Sequence, residues 1–309
     1  EKEGPWETFH IASSPMAHRL VWADTDGDGK KELFNAPIVG PGDQPPRYDI
    51  PVKTMKYVIP GDPEKKWPAQ VVDHELTLLH GIMATDWDDD GREELLTASQ
   101  EGISLIRHPG AGVWERKVLI PCMHNQTARS GASEIAVGTL GGRRFLATIE
   151  PWHGNELVVY FQGGPETDAW IRHVLDDQLT DGHALAVEDL NYDGNDDIVA
   201  GYRQGDRSLF WYTQLKEENW YKAPAEMGHM GSSSVDLADM DADGHTDIVA
   251  AGTNNNSIKW YRQVPYTELT GRWEAGRNLV VMEKGIHQVG FYSPGGKHMK
   301  SVRVGKHPH

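Results

Sequence analysis

A nine-residue acidic pattern occurs four times in the chain and constrains its fold more than any other feature. Each copy has an oxygen-bearing side chain at positions 1, 3 and 5, glycine at position 6 and an acid at position 9. A hard cation such as Ca²⁺ requires several oxygen ligands on a tightly curled backbone, with no Cβ at the sharpest bend. The pattern therefore predicts about four structural calcium sites, although a single acidic turn of this kind could be merely solvated.

The predicted ligands are the side chains at positions 1, 3, 5 and 9 of each copy. They are Asp24, Asp26, Asp28 and Glu32; Asp86, Asp88, Asp90 and Glu94; Asp189, Asn191, Asp193 and Asp197; and Asp239, Asp241, Asp243 and Asp247. An EF-hand loop closes with its acid at position 12, whereas here the acid at position 9 directly precedes an apolar run. This spacing favours a β-hairpin turn over a helix–loop–helix.

The spacing of the copies indicates a longer repeat. Their first acids lie 62, 103 and 50 residues apart, so the middle interval leaves room for one more unit. Residues 133–149 provide this unit, with a strand, a Gly-Gly turn and a second strand but without the carboxylates. Residues 287–302 show the same strand–turn–strand pattern. Repeats of this length indicate an array of one supersecondary unit, here six units of roughly fifty residues that account for the whole chain.

Each unit is predicted to contain four short strands. The acidic loop joins the first two, the third is aromatic or aliphatic, and the fourth begins near a tryptophan. These tryptophans are Trp6, Trp67, Trp114, Trp170, Trp220 and Trp273. Four antiparallel strands per repeat describe a β-propeller blade. We therefore predict a single all-β domain over residues 1–309, a β-propeller with six blades as counted from the units, or seven.

Composition and charge narrow the classes of partner that the protein could have. The net charge of −16 disfavours nucleic acid, because no basic surface is available to neutralise phosphates. The single cysteine, Cys122, rules out an internal disulfide, and no apolar run is long enough to span a bilayer. The chain opens without an initiator methionine and calcium loops fill most readily outside the cytosol. We therefore expect a secreted or periplasmic protein whose signal sequence has been removed; no pattern in the sequence indicates an oligomeric state.

Histidine recurs at one position of the repeat. Six residues before each first acid stand His18, His80, His183 and Ser233, and His287 falls at the same place when the last hairpin is aligned. The third unit offers Ala132–Ser133 there. This position begins the innermost strand of a blade, so the imidazoles should converge at the propeller axis, on the face opposite the acidic loops. Packing within a structural repeat is the alternative explanation.

Other polar and aromatic residues are predicted to lie on the same face. Loops of this face carry Tyr48, Glu150, Trp152, His153 and Arg203, and the loops between blades add Arg129 and His229. Aromatic planes, imidazoles and guanidinium groups in one concavity suit a sugar that bears carboxylate or carbonyl groups. The predicted ligand is therefore a carbohydrate.

The motifs also resemble known families. The acidic hairpins resemble FG-GAP or VCBS repeats of calcium-binding propellers. Residues 18–24, 35–41 and 149–155 resemble the propeller domain of aldos-2-ulose dehydratase and related carbohydrate-active propellers. The resemblance implies a propeller, usually of seven blades, in a protein that acts on sugars.

Histidine titrates near neutral pH, so paired imidazoles can exchange protons during catalysis. We predict a carbon–oxygen lyase that acts by β-elimination or dehydration on a uronic acid or keto-sugar. The predicted acid/base residues are His80, His153 and His183. The predicted substrate-binding residues are His18, Tyr48, Arg129, Glu150, Trp152, Arg203, His229 and His287. The imidazoles could instead hold Zn²⁺. A lectin-like sugar-binding propeller and a glycoside hydrolase remain the alternatives.

Overall fold

The computed structural model describes residues 7–110, 112–122, 130–164, 169–216, 219–253 and 256–263, together with the backbone of three strands between residues 282 and 304. All regular elements in these ranges are β-strands, arranged as the successive antiparallel sheets of a β-propeller. No helix in this part of the chain has the length and apolar character needed to cross a bilayer.

The first four blades have four strands each and the fifth has three described strands. Blade 1 contains β1 (Ala17–Ala23), β2 (Glu32–Pro37), β3 (Thr54–Tyr57) and β4 (Ala69–Asp73). Blade 2 contains β5 (Gly81–Thr85), β6 (Glu94–Ser99), β7 (Gly102–Arg107) and β8 (Glu115–Pro121). Blade 3 contains β9 (Ile135–Leu140), β10 (Arg143–Glu150), β11 (Glu156–Gln162) and β12 (Trp170–Asp176). Blade 4 contains β13 (Gly182–Glu188), β14 (Asp197–Tyr202), β15 (Leu209–Lys216) and β16 (Asn219–Glu226), and blade 5 contains β17 (Ser232–Ala238), β18 (Asp247–Gly252) and β19 (Ser257–Tyr261).

The predicted number of blades is wrong, because the described structure shows five blades rather than six or seven. Residues 287–302 do pair as a hairpin, in β21 (Ile286–Tyr292) and β22 (His298–Val304). These strands form a separate three-stranded sheet with the two-residue β20 (Met282–Glu283). A strand–turn–strand pattern in the sequence predicts that two strands pair, but it does not predict that the resulting sheet packs against a neighbouring blade. The strands predicted at Trp6 and Trp273 lie outside the described residues.

The hydrophobic core lies between adjacent blades. The second strand of each of the first four blades is buried at nearly every position, because a neighbour covers each of its faces. Phe34 of blade 1 packs with Leu95 of blade 2, and Leu96 of blade 2 packs with Leu146 of blade 3. Burial of such large apolar side chains is the main favourable contribution to folding. It also fixes the rotation of each blade, and with it the direction in which each innermost strand begins.

The acidic patterns form the hairpin turns that their spacing predicts. In the first copy, Ala23 pairs with Glu32 across the turn. The position-6 glycines, Gly29, Gly91, Gly194 and Gly244, have φ between 82° and 87°. A left-handed backbone at this point disfavours any residue with a Cβ. The requirement for glycine at position 6 is therefore confirmed.

Candidate active site at the propeller axis

Four imidazoles form one cluster where the innermost strands of blades 1, 2 and 4 begin. The ring centroid of His80 lies 4.5 Å from that of His18 and 4.7 Å from those of His153 and His183. His153 and His183 are 4.9 Å apart. His80 is fully buried and His183 is 6% exposed. The structure thus brings together His18, the predicted substrate-binding histidine, and the three predicted acid/base residues.

A repeated backbone feature directs these side chains to the axis. Two residues before each axial position the chain is left-handed, with φ of 61° at Met16, 45° at Leu78, 80° at Gly131 and 63° at Asp181. A single left-handed residue turns the chain sharply where most residues would extend it. Each innermost strand therefore starts with a defined orientation, and the turn at Gly131 places Ser133 at the histidine position of blade 3.

Hydrogen bonds determine which ring nitrogens carry protons. His80 Nδ1 lies 2.7 Å from the Ser133 carbonyl oxygen, and His183 Nδ1 lies 2.7 Å from the Ser233 carbonyl oxygen. A carbonyl can only accept, so both rings are protonated on Nδ1 and have a lone pair on Nε2. His153 has the opposite arrangement, because Arg203 Nη2 donates to its Nδ1 at 3.0 Å. His153 therefore donates from Nε2 to His80 Nε2, 2.9 Å away.

A largely buried ion pair lies behind the imidazoles. Glu134, whose side chain is 12% exposed, accepts a hydrogen bond from Arg19 and lies 3.1 Å from His80 Nδ1 and 3.9 Å from His183 Nδ1. Burial opposes ionisation of Glu134, but the hydrogen bond with His80 and the charges of His80 and Arg19 leave its pKa below the usual value. The cluster consequently has a carboxylate on the Nδ1 side of two of its rings.

Burial keeps three of the imidazoles, His18, His153 and His183, neutral at physiological pH. It lowers the pKa of His18 and of His183 to about 4, with the neighbouring His80 as the second cause. The same two effects lower the pKa of His153 to about 2. A neutral imidazole presents a lone pair that can accept a proton or bind a metal. The cluster is therefore a set of bases and ligands rather than a set of cations.

Three of the four imidazoles have the arrangement of a metal site. His18, His80 and His183 each offer one ring nitrogen, and these nitrogens lie within 4.8 Å of one another. His18 Nε2 is buried and has no hydrogen-bond partner, which is costly for a polar atom unless a ligand satisfies it. Metal-binding histidines usually donate their other N–H to a carbonyl or carboxylate, as His80 and His183 do. The residues present therefore fit a divalent transition metal such as Zn²⁺.

An aromatic surface borders the cluster. The indole of Trp152 stacks on His153 with ring centroids 4.3 Å apart, and the Tyr48 ring meets Trp152 edge-on at 5.5 Å. Both Tyr48 and His153 have left-handed backbones, with φ of 53° and 48°. Strained residues of this kind cluster at binding and catalytic sites. Trp152 Nε1 is buried without a hydrogen-bond partner, so a donor is available beside the aromatic face.

The other predicted substrate-binding residues have different surroundings. The Arg203 guanidinium forms two 3.0 Å hydrogen bonds with Asp181 in addition to its contact with His153. Glu150 lies in the interior of blade 3, where Tyr160 and Arg172 donate to it. His229 is exposed on the loop between β16 and β17. Arg129 lies outside the described residues, and only the backbone of His287 is described, within β21.

The acidic loops lie at the far end of the innermost strands. His80 precedes β5 and Asp86 follows it, and at about 3.3 Å per residue the two are separated by roughly the length of the strand. In every loop the position-1 aspartate accepts a hydrogen bond from the position-6 glycine, at 2.8 or 2.9 Å. Three loops hold carboxylate oxygens within 4.8 Å of one another. Burial raises the pKa of Asp197, at position 9 of the third copy, to about 7, and a bound cation would relieve that cost.

Three residues of the site were missed by sequence reasoning. Glu134 directly follows the histidine position of the blade that lacks an acidic loop, Arg19 follows His18, and Asp181 precedes His183 by two residues. Each lies one or two positions from the repeat position that was recognised. Comparison of the neighbouring positions across the five blades is the signal that could have identified them.

The fold and the axial residues define an all-β propeller with an imidazole cluster at its centre and acid-lined hairpins at the opposite end. Residues 1–163 match the family model described as aldos-2-ulose dehydratase, beta-propeller domain. Because this match covers more than half of the chain, the protein belongs to that family. Residues 189–250 match the FG-GAP-like repeat. The predicted resemblance to both is confirmed, and it relates the chain to a carbohydrate-related class of propeller.

Solved structures with a similar fold are distant in sequence. A putative 6-phosphogluconolactonase from Bacteroides uniformis is 13% identical, with a TM-score of 0.50 over 80% of this chain and 67% of that one. A lectin from Agrocybe aegerita that recognises non-reducing terminal N-acetylglucosamine is also 13% identical, with a TM-score of 0.48 over 94% of this chain and 81% of that one. No curated protein matches the chain.

Proposed function

We propose that the protein is a carbon–oxygen lyase that dehydrates a neutral keto-sugar at the axial imidazole cluster. The observation that carries this proposal is the assignment of the ring nitrogens. His80 and His183 hold lone pairs on Nε2, whereas His153 holds a proton there. Lone pairs and an N–H within one cluster of side chains supply the two functions that elimination next to a carbonyl requires.

The charges near the cluster favour a neutral substrate over a uronic acid. Both guanidinium groups in contact with the described cluster are already neutralised, Arg19 by Glu134 and Arg203 by Asp181. Without a bound metal, bringing a carboxylate next to Glu134 and Asp181 would be unfavourable, because the two arginines are already paired. Glycoside hydrolysis usually requires two available carboxyl groups, and these two carboxylates are each held by an arginine. A keto-sugar is therefore the preferred substrate among the predicted classes.

His18, His80 and His183 would hold Zn²⁺ in this proposal. When bound, a Zn²⁺ ion supplies Lewis-acid polarisation of a substrate oxygen. In the absence of metal, the Nε2 lone pair of His183 is the atom that can accept the proton from the carbon next to the carbonyl. Addition of zinc to metal-free protein distinguishes these two roles, because it activates the enzyme in the first case and inhibits it in the second.

The remaining residues bind and orient the sugar. His153 is a neutral imidazole that donates its Nε2 proton to His80 Nε2. If a metal occupied that His80 nitrogen, the same proton could be donated to a carbonyl oxygen as negative charge develops. Trp152 and Tyr48 present ring faces and edges on which the apolar side of a sugar ring packs. The Tyr48 hydroxyl can protonate a departing oxygen. At the other end of the strands, we propose that Ca²⁺ in the acidic loops stabilises the hairpins.

An absorbance assay tests the proposal. Dehydration next to a carbonyl creates a conjugated product that absorbs ultraviolet light, whereas hydrolysis yields reducing ends and simple binding yields neither. The full chain, with and without Zn²⁺, is mixed with neutral anhydro-keto-sugars and, separately, with acidic polysaccharides. An absorbance increase with the neutral sugars that His183→Ala abolishes supports the proposal. Turnover of uronates alone, formation of reducing ends alone, or sugar binding without any product contradicts it.

A further inference from the structure

We propose that Glu134, together with Arg19, is a positioning residue for the axial imidazoles. Its carboxylate holds the Nδ1 protons of His80 and His183 in place, so that their Nε2 lone pairs remain available at the axis. This inference rests on the proposed function, since it concerns the same site. Its physical content, however, is a set of contacts within the chain and can be tested without substrate.

The first support is the position of the carboxylate. Glu134 Oε1 lies 3.1 Å from His80 Nδ1, whose proton is also directed to the Ser133 carbonyl at 2.7 Å. The same oxygen lies 3.9 Å from His183 Nδ1. One negative charge therefore interacts with the Nδ1–H of two rings at once. A carboxylate beside Nδ1 stabilises the proton on Nδ1, and it makes Nε2 of the same ring more basic and a better metal ligand.

The second support is the way in which three blades build the ion pair. Across the acidic hairpins, Ala23 pairs with Glu32 in blade 1 and Thr85 pairs with Glu94 in blade 2. Arg19 and Gly81 lie four residues before Ala23 and Thr85, so they occupy the same position in their strands. Glu134 of blade 3 is their equivalent, because Ser133 N donates to Ile149 O at 3.0 Å just as His80 N donates to Ala98 O at 3.0 Å. The pair therefore joins blades 1 and 3 across the glycine of blade 2.

Gly81 is required for this arrangement. A Cβ at residue 81 would lie 2.9 Å from the Ser133 carbonyl oxygen and 3.1 Å from the Glu134 Cα. Both atoms belong to the backbone, so they cannot move aside as a flexible side chain would. Because residue 81 has no side chain, the Arg19 guanidinium of blade 1 and the Glu134 carboxylate of blade 3 can contact each other. Arg19 is also held in place there, since its Nε donates to the His80 carbonyl at 3.4 Å.

Removal of the Glu134 charge should lower the metal affinity of the cluster, although every imidazole is kept. Loss of an outer-shell partner of a metal-binding histidine typically costs 10–100-fold in metal affinity. Glu134→Gln keeps the shape of the side chain but loses its charge. Glu156→Gln is the matched control. Like Glu134, Glu156 is a glutamate of blade 3 that accepts a hydrogen bond from an arginine, in this case Arg172, but it makes no contact with the described imidazoles.

The experiment has two readouts on the full-length chain. Side-chain ¹⁵N chemical shifts of the metal-free protein report the tautomer of each histidine, and competition with a chromophoric chelator gives the Kd for Zn²⁺. Glu134→Gln places an amide, which can donate as well as accept, beside His80 Nδ1. It should therefore partly mix the tautomers of His80, although the Ser133 carbonyl remains, and weaken Zn²⁺ binding about 10–100-fold, with partial recovery in Glu134→Asp. Glu156→Gln should change neither. If Glu134→Gln does not fold, Gly81→Ala provides the same test with both charges kept.

The inference is overturned if Glu134→Gln keeps the tautomers and the Kd of the wild type. Its failure is distinct from failure of the proposed function. A wild-type protein that converts no keto-sugar, but whose tautomers and zinc affinity depend on Glu134, contradicts the lyase and supports the positioning role. A wild-type lyase that is indifferent to Glu134→Gln supports the lyase and contradicts the positioning role.

Discussion

The Nε2 atoms of His80 and His153 lie 2.9 Å apart, and only His153 carries a proton between them. The assignment follows from the other nitrogens of the two rings, because Arg203 donates to His153 whereas His80 donates to a carbonyl. Two imidazoles of the same cluster are thereby given opposite properties. One presents a lone pair and the other presents a hydrogen-bond donor.

This difference predicts separable effects of substitution. His153→Leu should reduce turnover of a keto-sugar by about 10²–10⁴-fold, the usual contribution of a positioned proton-handling group, but leave the Kd for Zn²⁺ within about threefold. His183→Ala should lower the turnover and also raise the Kd for Zn²⁺, because it removes one of three ligands. Steady-state absorbance kinetics and chelator competition measure the two quantities. Equal loss of zinc binding in both variants would assign His153 to the metal instead.

The lowered imidazole pKa values predict that the metal-free protein loses stability in mild acid. An unfolded histidine binds a proton near pH 6.5, whereas His18 and His183 in the folded protein bind one only near pH 4. Between these values the unfolded state binds more protons, so the free energy of unfolding falls as the pH falls. Because water reaches part of His18, we expect the two histidines together to lower the free energy of unfolding by an amount on the order of 2 kcal/mol. Complete burial of both rings would give a larger loss.

Urea unfolding at pH 7 and pH 4.5, with chelator present, measures this loss. The double variant His18→Asn and His183→Asn provides the comparison, because it retains every carboxylate that also titrates in this range. The wild type should lose more stability than the variant over that interval. Parallel pH profiles for the two proteins would show that the imidazoles are not the source of the acid sensitivity.

The buried ammonium of Lys56 should weaken calcium binding by the first acidic loop. Its ammonium lies 3.0 Å from Glu32 and 3.7 Å from Asp26, and its side chain is 9% exposed. The corresponding residues of blades 2, 4 and 5 are Leu105, Trp211 and Trp260, none of which carries a charge. A fixed positive charge a few ångströms from the ion costs about 1.4 kcal/mol or more, which is tenfold in affinity.

Lys56→Met should therefore raise the affinity of one calcium site about tenfold, as measured by calorimetric titration. Lys30→Met is the control in the same loop, because Lys30 pairs with Asp28 at 3.4 Å but its side chain is 85% exposed. It should change the affinity little. A Lys56→Met variant with the calcium affinity of the wild type would exclude Lys56 as an internal substitute for the cation.

The sequence was sufficient for the blade architecture and for much of the axial cluster, since both follow from a repeat. His18, His80 and His183 share one register position, and strand periodicity alone directs them to the axis. The outermost strands begin near tryptophans as predicted, with Trp67, Trp114, Trp170 and Trp220 each within two residues of the first residue of its strand. Those expectations required only local spacing, which the chain encodes directly.

The residues that were missed depend on contacts across blades. Glu134 contacts Arg19, 115 residues away, and no local pattern pairs them. Arg203 was assigned to substrate on the basis of its loop, yet its guanidinium holds Asp181 and His153 in the folded chain. The blade count was wrong for a related reason, because packing of one sheet on another is a tertiary property. Sequence periodicity specifies strands, whereas charge pairing and sheet packing require the fold.

Two glycines offer a test of the hairpin geometry itself. Gly194 occupies position 6 of the third acidic loop with φ of 85°, and a Cβ there would meet nothing within 4 Å. Gly61 has equally open surroundings but no left-handed φ. Any difference between alanine substitutions at these sites must therefore come from the backbone. Gly194→Ala should lower the free energy of unfolding by about 1–2 kcal/mol.

Gly61→Ala should instead leave stability unchanged or raise it by up to about 1 kcal/mol, because alanine restricts the unfolded chain. Urea denaturation in excess Ca²⁺ and again with chelator gives both values. If the loop binds an ion, the loss in Gly194→Ala should be larger with Ca²⁺ than with chelator, since the strained turn also displaces the ligands Asp189 and Asp193. An equal loss under both conditions would indicate backbone strain alone, without a bound cation in this loop.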